Sequence, residues 1–514
     1  MSQSLIAALQ NPALFPHPVE SFQVIETHIS WVLLTGPYVY KIKKPMNFGF
    51  LDFTTLESRE HFCNEELRLN QRLTDDLYLE VLPITGSAEA PQLGGSGEVI
   101  EYVLKMRQFP QSGLLSTLQA NGELTTGQID EMAQQIADFH INAPRVTVEN
   151  DLGSPDSVMA PVLQNFEQIR PLISEKSDLL QLDALQAWAE SSFERLKPLF
   201  AQRKADGFIR ECHGDIHLGN ATLIDGKVVI FDCIEFNEPF RKTDVYADIG
   251  FLAMDLEDRG LKSLSRRLIS NYLELTGDYQ GLEVLNFYKA YRALVRAKIA
   301  LFSVPADADP VQRATFLRQY RNYANLAENY SAIPSRFLVI THGVSAVGKS
   351  HVAMRLVEAL GAIRLRSDVE RKRLFGEDNE NNGIYGADAS VATYSRLHQL
   401  ADIVLRAGFP VVIDATYLKR EQRDNAAKVA EATGAPFLIL DCNAPQAVIA
   451  GWLAQRQSEN VDPSDATMEV IEAQQANREA LSDDEILRSK HVETNNSGDL
   501  DDLVANLRQH LPGL

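Results

Sequence analysis

The sequence feature that most restricts the fold is the octapeptide GVSAVGKS, residues 343–350. It matches the pattern GxxxxGK[ST] and stands between an apolar stretch, residues 337–340, and a segment of helical spacing that begins near Ser350. Glycines let the backbone curl, so that successive N–H groups and a helix N-terminus face the same point and bind phosphate oxygens. The pattern therefore predicts a phosphate-binding loop within a parallel α/β sheet.

Every residue of this loop is a predicted nucleotide contact. The eight residues are Gly343, Val344, Ser345, Ala346, Val347, Gly348, Lys349 and Ser350. Lys349 would bring its ammonium group to the β- and γ-phosphates of ATP, and the Ser350 hydroxyl would bind Mg²⁺. Asp414 ends the apolar strand in VVIDAT and is predicted to hold a water molecule of the same Mg²⁺ shell.

The segment RLRSDVERKR supplies acceptor chemistry between these two motifs. Asp368 and Arg371 are three residues apart, which places them on one helix face. A carboxylate can take the proton of an acceptor hydroxyl, and a guanidinium can bind an anionic acceptor. The spacing fits equally well a capping aspartate beside a solvated basic face, so both interpretations stay open.

Residues 336–514 resemble small P-loop kinases of the gluconate-kinase, chloramphenicol-phosphotransferase, zeta-toxin and polynucleotide-5′-kinase type, on the loop and the segments just described. The resemblance implies that Asp368 is the catalytic base and Arg371 an acceptor anchor. It also suggests that Arg456 is a lid arginine that reaches the transferred phosphate. Arg420 and Arg423 are predicted to serve the same acceptor pocket.

A second motif lies in the first half of the chain, where residues 213–220 spell HGDIHLGN. Phosphoryl transfer needs a carboxylate to deprotonate the acceptor and two oxygen ligands for the metal ions that bridge the phosphates. Asp215, Asn220 and Asp232 fill these roles in order, with Asp215 as base and the other two as Mg²⁺ ligands. A short strand pair between residues 221 and 231 would return Asp232 to the loop.

A lysine and a glutamate upstream complete a kinase-like set. Lys41 lies in the strand YVYKIKK, and Glu66 lies in a predicted helix over residues 55–73. Lys43 and Glu65 are close alternatives, because alternation along a strand puts Lys41 and Lys43 on the same face. The strand at 101–109 is predicted to connect two lobes and to offer backbone groups at 104–106 to adenine.

Residues 22 to about 330 resemble the aminoglycoside phosphotransferase family, on HGDIHLGN, Asp232 and the stretch IADFH at 136–140. The complete tandem resembles bacterial proteins named bifunctional aminoglycoside phosphotransferase/ATP-binding protein. The resemblance implies a bilobal protein-kinase-like domain followed by a P-loop α/β domain with a parallel sheet. The expected domains are residues 1–331, with a small β-rich lobe to about 108, and residues 336–514.

Composition agrees with two domains and restricts the partners. The chain has 514 residues, 45% of them apolar, which is enough for two or more cores. A formal charge of −21 disfavours duplex nucleic acid and anionic membranes. No basic leader, long apolar run or CxxC spacing is present, so a cytoplasmic location is expected.

These motifs predict an ATP-dependent kinase with two nucleotide sites that phosphorylates hydroxyl groups of small molecules. Two alternatives stay open: an ATP-responsive regulator in which one domain controls the other, and a zeta-toxin or polynucleotide-kinase-like enzyme acting on nucleotides. The basic cluster at 364–373 permits an anionic pocket or a solvated helix face. The acceptor and the oligomeric state are not determined by the sequence.

Overall fold

The computed structural model describes residues 2–49, 51–74, 76–305, 307–332, 335–376, 386–459 and 467–510, without the side chains of 2, 455–459, 509 and 510. The chain forms two compact units. The first unit comprises Met1–Asp255 and Tyr291–Ala324, and the second comprises Leu256–Ala290 and Asn325–Leu514. Independent folding of residues 1–331 and 336–514 stays a prediction, but the compact units do not follow that cut, because residues 256–290 group with the second unit.

The first unit begins with a small β-rich lobe. Its sheet is antiparallel in the order β1-β2-β3-β6-β4-β5. The strands are β1 (Gln23–Glu26), β2 (Ser30–Leu34), β3 (Tyr38–Lys43), β4 (Tyr78–Gly86), β5 (Pro91–Leu93) and β6 (Val99–Arg107), and the helices are α1 (Ser2–Ala8) and α2 (Leu56–Asn70). The Thr55 side chain accepts a hydrogen bond from the Ser58 N–H at 3.1 Å, which caps α2 at its predicted start.

A helical lobe completes the first unit. Its helices are α3 (Leu115–Ala120), α4 (Thr126–Asn142), α5 (Pro155–Ile169), α6 (Lys176–Ala205), α7 (Glu238–Arg241) and α8 (Val245–Asp258), and its strands are β7 (Ile209–Glu211), β8 (Ala221–Ile224), β9 (Lys227–Ile230) and β10 (Lys242–Asp244). Three further helices follow: α9 (Lys262–Thr276), α10 (Leu282–Phe302) and α11 (Pro310–Asn329). Because the unit boundaries fall inside α8, α10 and α11, these helices contribute to both units.

The second unit is built on a parallel sheet in the order β12-β13-β11-β14-β15. Its strands are β11 (Leu338–His342), β12 (Ile363–Arg366), β13 (Val411–Asp414), β14 (Phe437–Asn443) and β15 (Ser489–Glu493). Its remaining helices are α12 (Lys349–Leu360), α13 (Ser367–Phe375), α14 (Ala387–Arg406), α15 (Arg420–Thr433), α16 (Gln446–Glu459), α17 (Met468–Asn477), α18 (Asp483–Ile486) and α19 (Ser497–His510).

The central strands of this sheet are buried along their whole length. All five residues of β11 and all four of β13 are buried, as expected for a parallel sheet covered on both faces. The apolar face of α12 packs into the same core through Val352, Leu356 and Leu360. The predicted fold class, a bilobal kinase-like domain followed by a P-loop α/β domain, is confirmed.

The short strand β5 lies between the two long strands β4 and β6 in the chain and pairs back on β4. In the described part of the chain, no helix combines the length and the apolar character that crossing a bilayer requires.

Candidate functional sites

The GVSAVGKS segment forms a tight loop between β11 and α12. Gly343 and Gly348 have positive φ angles of 144° and 87°, and Ala346 has a φ of 59°. A Cβ atom at Gly343 would lie 2.6 Å from the Cys442 carbonyl oxygen, and one at Gly348 would lie 2.9 Å from the Thr494 side chain. Glycine is therefore required at both positions by the backbone angle and by the close approach of neighbouring residues.

The polar groups of the loop are engaged with neighbouring residues. The Lys349 Nζ atom donates to the Val344 carbonyl oxygen at 2.6 Å. The Ser345 N–H donates to Oε1 of Gln474 at 2.7 Å, and Nε2 of Gln474 donates to the Ser345 hydroxyl at 3.1 Å. Gln474 lies on α17, more than 120 residues from the loop, so the sequence carried no signal for this contact.

Asp414 and Arg366 end neighbouring parallel strands and are register partners. The Oδ2 atom of Asp414 is buried and has no hydrogen-bond partner among the described residues. The Arg366 Nε atom lies 3.6 Å from this oxygen, which is too long for a hydrogen bond. A buried carboxylate oxygen without a donor is a group that a divalent cation or its water shell would satisfy.

Asp368 lies in the same neighbourhood. Burial and the nearby charge of Asp414 raise the pKa of the Asp368 carboxyl, and the positive charges of Arg366, Lys349 and Arg371 oppose this shift. The structure therefore brings the predicted base, the loop lysine, the predicted acceptor arginine and the predicted metal ligand close enough to interact. Ser350 is the second residue of α12, directly after Lys349.

The raised pKa of Asp368 leads to a stability prediction. A carboxyl group whose pKa is higher in the folded state binds more protons when folded, so stability falls as pH rises from the ordinary pKa through the raised one. Asp368→Asn removes this cost at neutral pH. We expect a melting temperature a few degrees higher at pH 7 and no gain at a pH below the ordinary aspartate pKa, measured by calorimetry. A lower melting temperature at pH 7 would contradict the proposed environment of Asp368.

Two arginines predicted for the acceptor pocket have carboxylate partners in this structure, and their role in acceptor binding stays a prediction. Arg423 is buried, and its guanidinium donates to Glu485 at 2.6 and 3.1 Å and to the Tyr417 carbonyl oxygen at 3.0 Å. Arg420 is half-exposed and pairs with Asp484 at 3.3 Å. Helical spacing after β13 does not show which carboxylates come within reach of each arginine. The predicted lid residue Arg456 lies on α16, but its side chain falls outside the described residues.

The basic cluster at 364–373 is also neutralised in large part. Arg364 and Arg366 both pair with Glu274, at 2.8 and 3.2 Å, and Arg373 pairs with Glu370. Because three members of the cluster are paired with glutamates, the whole cluster does not form an open anion-binding pocket in the described residues. Arg371 is buried, at 9% exposure, and is one of the positive charges that act on the Asp368 carboxyl.

In the first unit, one glutamate meets both candidate lysines. The Lys41 Nζ atom lies 2.7 Å from Oε1 of Glu66, and the Lys43 Nζ atom lies 2.6 Å from Oε2. The alternative glutamate, Glu65, instead pairs with Arg68 at 2.9 Å and Arg241 at 3.3 Å. Burial favours a neutral carboxyl, but the two ammonium groups lower the pKa of Glu66 to about 2.

The two lysines differ in their second partners. Lys41 also lies 3.1 Å from Oδ1 of Asp232, whose carboxylate is 44% exposed. Lys43 is only 1% exposed and pairs with the buried Glu235. Only Lys41 thus links the glutamate of α2 to the predicted metal ligand Asp232, whereas Lys43 is a buried support for the same glutamate.

The HGDIHLGN loop is held by side chains from the surrounding helical lobe. Asp248 on α8 accepts hydrogen bonds from the backbone N–H groups of His213 at 2.7 Å and Gly214 at 2.8 Å. Asp255 on the same helix accepts from the Leu218 N–H at 3.0 Å. Both aspartates are buried on a mainly apolar helix, and buried aspartates are rare unless they are paired. Their presence in an apolar stretch of sequence could have indicated this support of the loop, but the motif HGDIHLGN by itself did not.

His213 braces the loop from within. Its Nδ1 atom accepts from the Asp215 N–H at 3.2 Å, and its Nε2 atom donates to the Phe231 carbonyl oxygen at 2.9 Å. Burial lowers the pKa of this histidine, and carboxylates such as Asp248 oppose the shift. His213 is therefore a neutral structural residue that links the loop to the segment before Asp232.

Asp215 and Asn220 are in direct contact. The Asn220 Nδ2 atom donates to the Asp215 carbonyl oxygen at 3.0 Å and to its Oδ2 atom at 3.3 Å, and His217 lies 3.5 Å from the same oxygen. Burial would raise the pKa of Asp215, but the contact with His217 and nearby positive charges hold the pKa below its ordinary value. The carboxylate is charged and half-buried, as an acceptor of a hydroxyl proton must be.

Backbone groups at 104–106 are already used, which corrects the predicted adenine site. β6 is paired with β3 on one side and with β4 on the other over these residues. The peptide groups of Leu104 and Met106 therefore belong to the interior of the sheet. A nucleotide base would have to use the chain after Arg107, where β6 ends.

The two sites define a class of protein in which a kinase-like unit and a P-loop nucleotide-binding unit share one chain. Residues 338–481 match the AAA_33 family, an AAA domain. The uncharacterized protein Rv2004c of Mycobacterium tuberculosis is 30% identical over 472 residues, which span 89% of this chain and 91% of that protein. The chain belongs to the same family as this mycobacterial protein.

Solved structures resemble the chain over one part or the other. A choline/ethanolamine kinase family protein from Mesorhizobium loti covers 64% of this chain and 98% of its own, with 12% identity and a TM-score of 0.37. A gluconokinase from Sinorhizobium meliloti 1021 covers 34% of this chain and 98% of its own, with 18% identity and a TM-score of 0.25. The family and the two sites support a nucleotide-dependent phosphotransferase.

Proposed function

We propose that this protein is an ATP-dependent phosphotransferase with two nucleotide sites, which transfers the γ-phosphate of ATP to hydroxyl groups of small molecules. The observation that carries the proposal is that Lys349 and Asp414, beside the phosphate-binding loop, lie close enough to Asp368 to interact with its carboxyl group. These are a phosphate-binding cation, a metal ligand and a base, which are the groups that phosphoryl transfer requires.

In the second unit, backbone N–H groups of the loop and the start of α12 would bind the phosphates of ATP. Lys349 would leave the Val344 carbonyl oxygen and bind the transferred phosphoryl group. Ser350 and Asp414 would hold Mg²⁺, and the unpartnered Oδ2 atom of Asp414 fits this role. When bound, Mg²⁺ neutralises phosphate charge and orients the β- and γ-phosphates.

Asp368 would take the acceptor proton in this unit. Burial and the charge of Asp414 raise its pKa, which makes its carboxylate a stronger base than that of an ordinary aspartate. Arg371, buried beside it, would bind an anionic part of the acceptor. The acceptor class supported by these groups is a small molecule with a hydroxyl next to a negative charge.

In the first unit, Asp215 would be the base, and Asn220 and Asp232 would hold Mg²⁺. The Asn220 Nδ2 atom is engaged with Asp215, which leaves its carbonyl oxygen as the ligand atom. Lys41, oriented by Glu66, would bind the phosphates. His213, Asp248 and Asp255 keep the loop in place without touching the reacting atoms.

Phosphoryl transfer from labelled ATP into a metabolite extract, followed by mass spectrometry of the labelled products, tests the proposal. The parent, Lys349→Ala, Asp215→Asn and the double variant are compared. We expect products that disappear with one single variant each and a double variant that forms none. An extract that gains no label with the parent would contradict the proposal, and products formed equally by the double variant would assign them to another enzyme.

A further inference from the structure

Helix α9 covers an edge of the sheet in the second unit. β12 is an edge strand, and α9 packs against it and against α12. The Arg364 N–H of β12 donates to the buried Ser270 hydroxyl of α9 at 3.2 Å, and Arg266 of α9 donates to the Ala359 carbonyl oxygen at 2.8 Å. An edge N–H that would otherwise face solvent is therefore satisfied by a segment from the middle of the chain.

The last turn of α9 carries a carboxylate shared by two guanidinium groups. Oε2 of Glu274 lies 2.8 Å from Arg364, and Oε1 lies 3.2 Å from Arg366. All three side chains are largely buried, with exposures of 14% or less. Because the dielectric response is low there, the position of each guanidinium depends strongly on this carboxylate.

Arg366 stands between two carboxylates. Its Nη1 atom is bound to Glu274 at 3.2 Å, and its Nε atom stops 3.6 Å from the unpartnered Oδ2 atom of Asp414. A guanidinium and a divalent cation compete for the same carboxylate oxygen. Whether Arg366 donates its hydrogen bonds to Glu274 or to Asp414 therefore affects whether Asp414 can bind a metal ion.

We propose that Glu274 is a positioning residue for the P-loop site, which holds the Arg366 guanidinium back from Asp414 and so keeps that carboxylate open to Mg²⁺. The inference rests on the proposed function, because it takes Asp414 to be a metal ligand. The two groups are already within ion-pair distance at 3.6 Å, and without Glu274 Arg366 would close the remaining gap and donate a hydrogen bond to Oδ2 of Asp414. The metal would then have to displace a guanidinium.

A site-specific signal is available for the test. Of the three tryptophans, Trp452 lies beside the loop, since a Cβ atom on Gly348 would meet its ring at 3.2 Å. The full chain with Trp31→Phe and Trp188→Phe therefore reports nucleotide at the P-loop site without a contribution from the first unit. The measurement is the Mg²⁺ concentration that gives half of the fluorescence change at fixed ADP, with EDTA as the metal-free reference.

Glu274→Gln should raise the half-saturating Mg²⁺ concentration by about fivefold to tenfold, in the range of coupling between neighbouring charges. Arg364→Met is the matched control, because it removes the other guanidinium from the same carboxylate and should leave the Mg²⁺ requirement unchanged. The double variant Glu274→Gln/Arg366→Met should return to the parent value, since the competing cation is gone. A role of Glu274 in stability alone would show no such rescue.

The outcomes separate the inference from the function. A parent whose Trp452 signal does not depend on Mg²⁺ overturns both. A Mg²⁺-dependent parent with an unchanged Glu274→Gln variant, or a double variant that stays impaired, overturns the inference alone. If Glu274→Gln does not fold, Arg366→Met decides: an equal or lower Mg²⁺ requirement supports competition, and a higher requirement overturns it.

Discussion

Lys349→Ala should lower phosphoryl transfer by the second unit by roughly 10²- to 10³-fold, the range for loss of one fixed group that stabilises developing charge. Lys349 is the cation at the start of α12, and its Nζ atom donates to the Val344 carbonyl oxygen, which a phosphate oxygen would replace as acceptor. The fold should survive, because alanine is a good helix former at this position. Transfer is measured with labelled ATP in an Asp215→Asn background, which silences the first unit.

Lys428→Ala is the control for this variant, since Lys428 is an exposed lysine on α15 of the same unit. It should match the parent in transfer and in melting temperature. Full activity of Lys349→Ala in that background would remove the loop from the mechanism, even if nucleotide still bound there.

Asp215→Asn and Asp232→Asn should separate proton transfer from metal binding in the first unit. Asp215→Asn should reduce transfer by roughly 10²- to 10⁴-fold, the usual contribution of a general base, while Mg-ATP binding stays nearly intact. Asp232→Asn should weaken Mg²⁺-dependent binding itself, because it removes a ligand charge that Lys41 now balances. Binding is measured by calorimetry and transfer by radiolabel, both in a Lys349→Ala background.

Asp225→Asn provides the matched control, because Asp225 lies exposed in the turn between β8 and β9 with a φ of 51°, an angle that asparagine tolerates well. It should behave like the parent in both assays. If Asp215→Asn and Asp232→Asn also match the parent in both, the loop is structural and the first unit is a binding module.

Short motifs predicted the parts of the sites that depend on contiguous sequence. The loop from Gly343 to Ser350 needs glycine where the backbone takes positive φ angles, and the positions of glycines can be read directly from the sequence. Gly343 and Gly348 have such angles in the structure. Strand alternation placed Lys41 and Lys43 on one face, and a single carboxylate, Glu66, meets both. Strand alternation was thus enough to propose the two lysines and their glutamate. It did not show that Lys41 also contacts Asp232 and Lys43 also contacts Glu235.

Contacts between distant segments escaped the sequence pattern. Arg423 follows the strand that ends in Asp414, and its partner Glu485 lies 62 residues away. Arg366 pairs with Glu274, 92 residues away. Charge partners of this kind depend on which elements pack together, and that packing follows from the tertiary fold rather than from any local period.

The contact between Ser270 and Arg364 also sets an order of events during synthesis. The two residues are 94 positions apart, so at about 5–20 residues per second α9 leaves the ribosome roughly 5–20 s before the strand that it covers. During that interval the nascent helix has no sheet to pack against, while α10 and most of α11, which contribute to the first unit, are still being made. Helix α9 can therefore pack on β12 only after the intervening helices α10 and α11 have been synthesised.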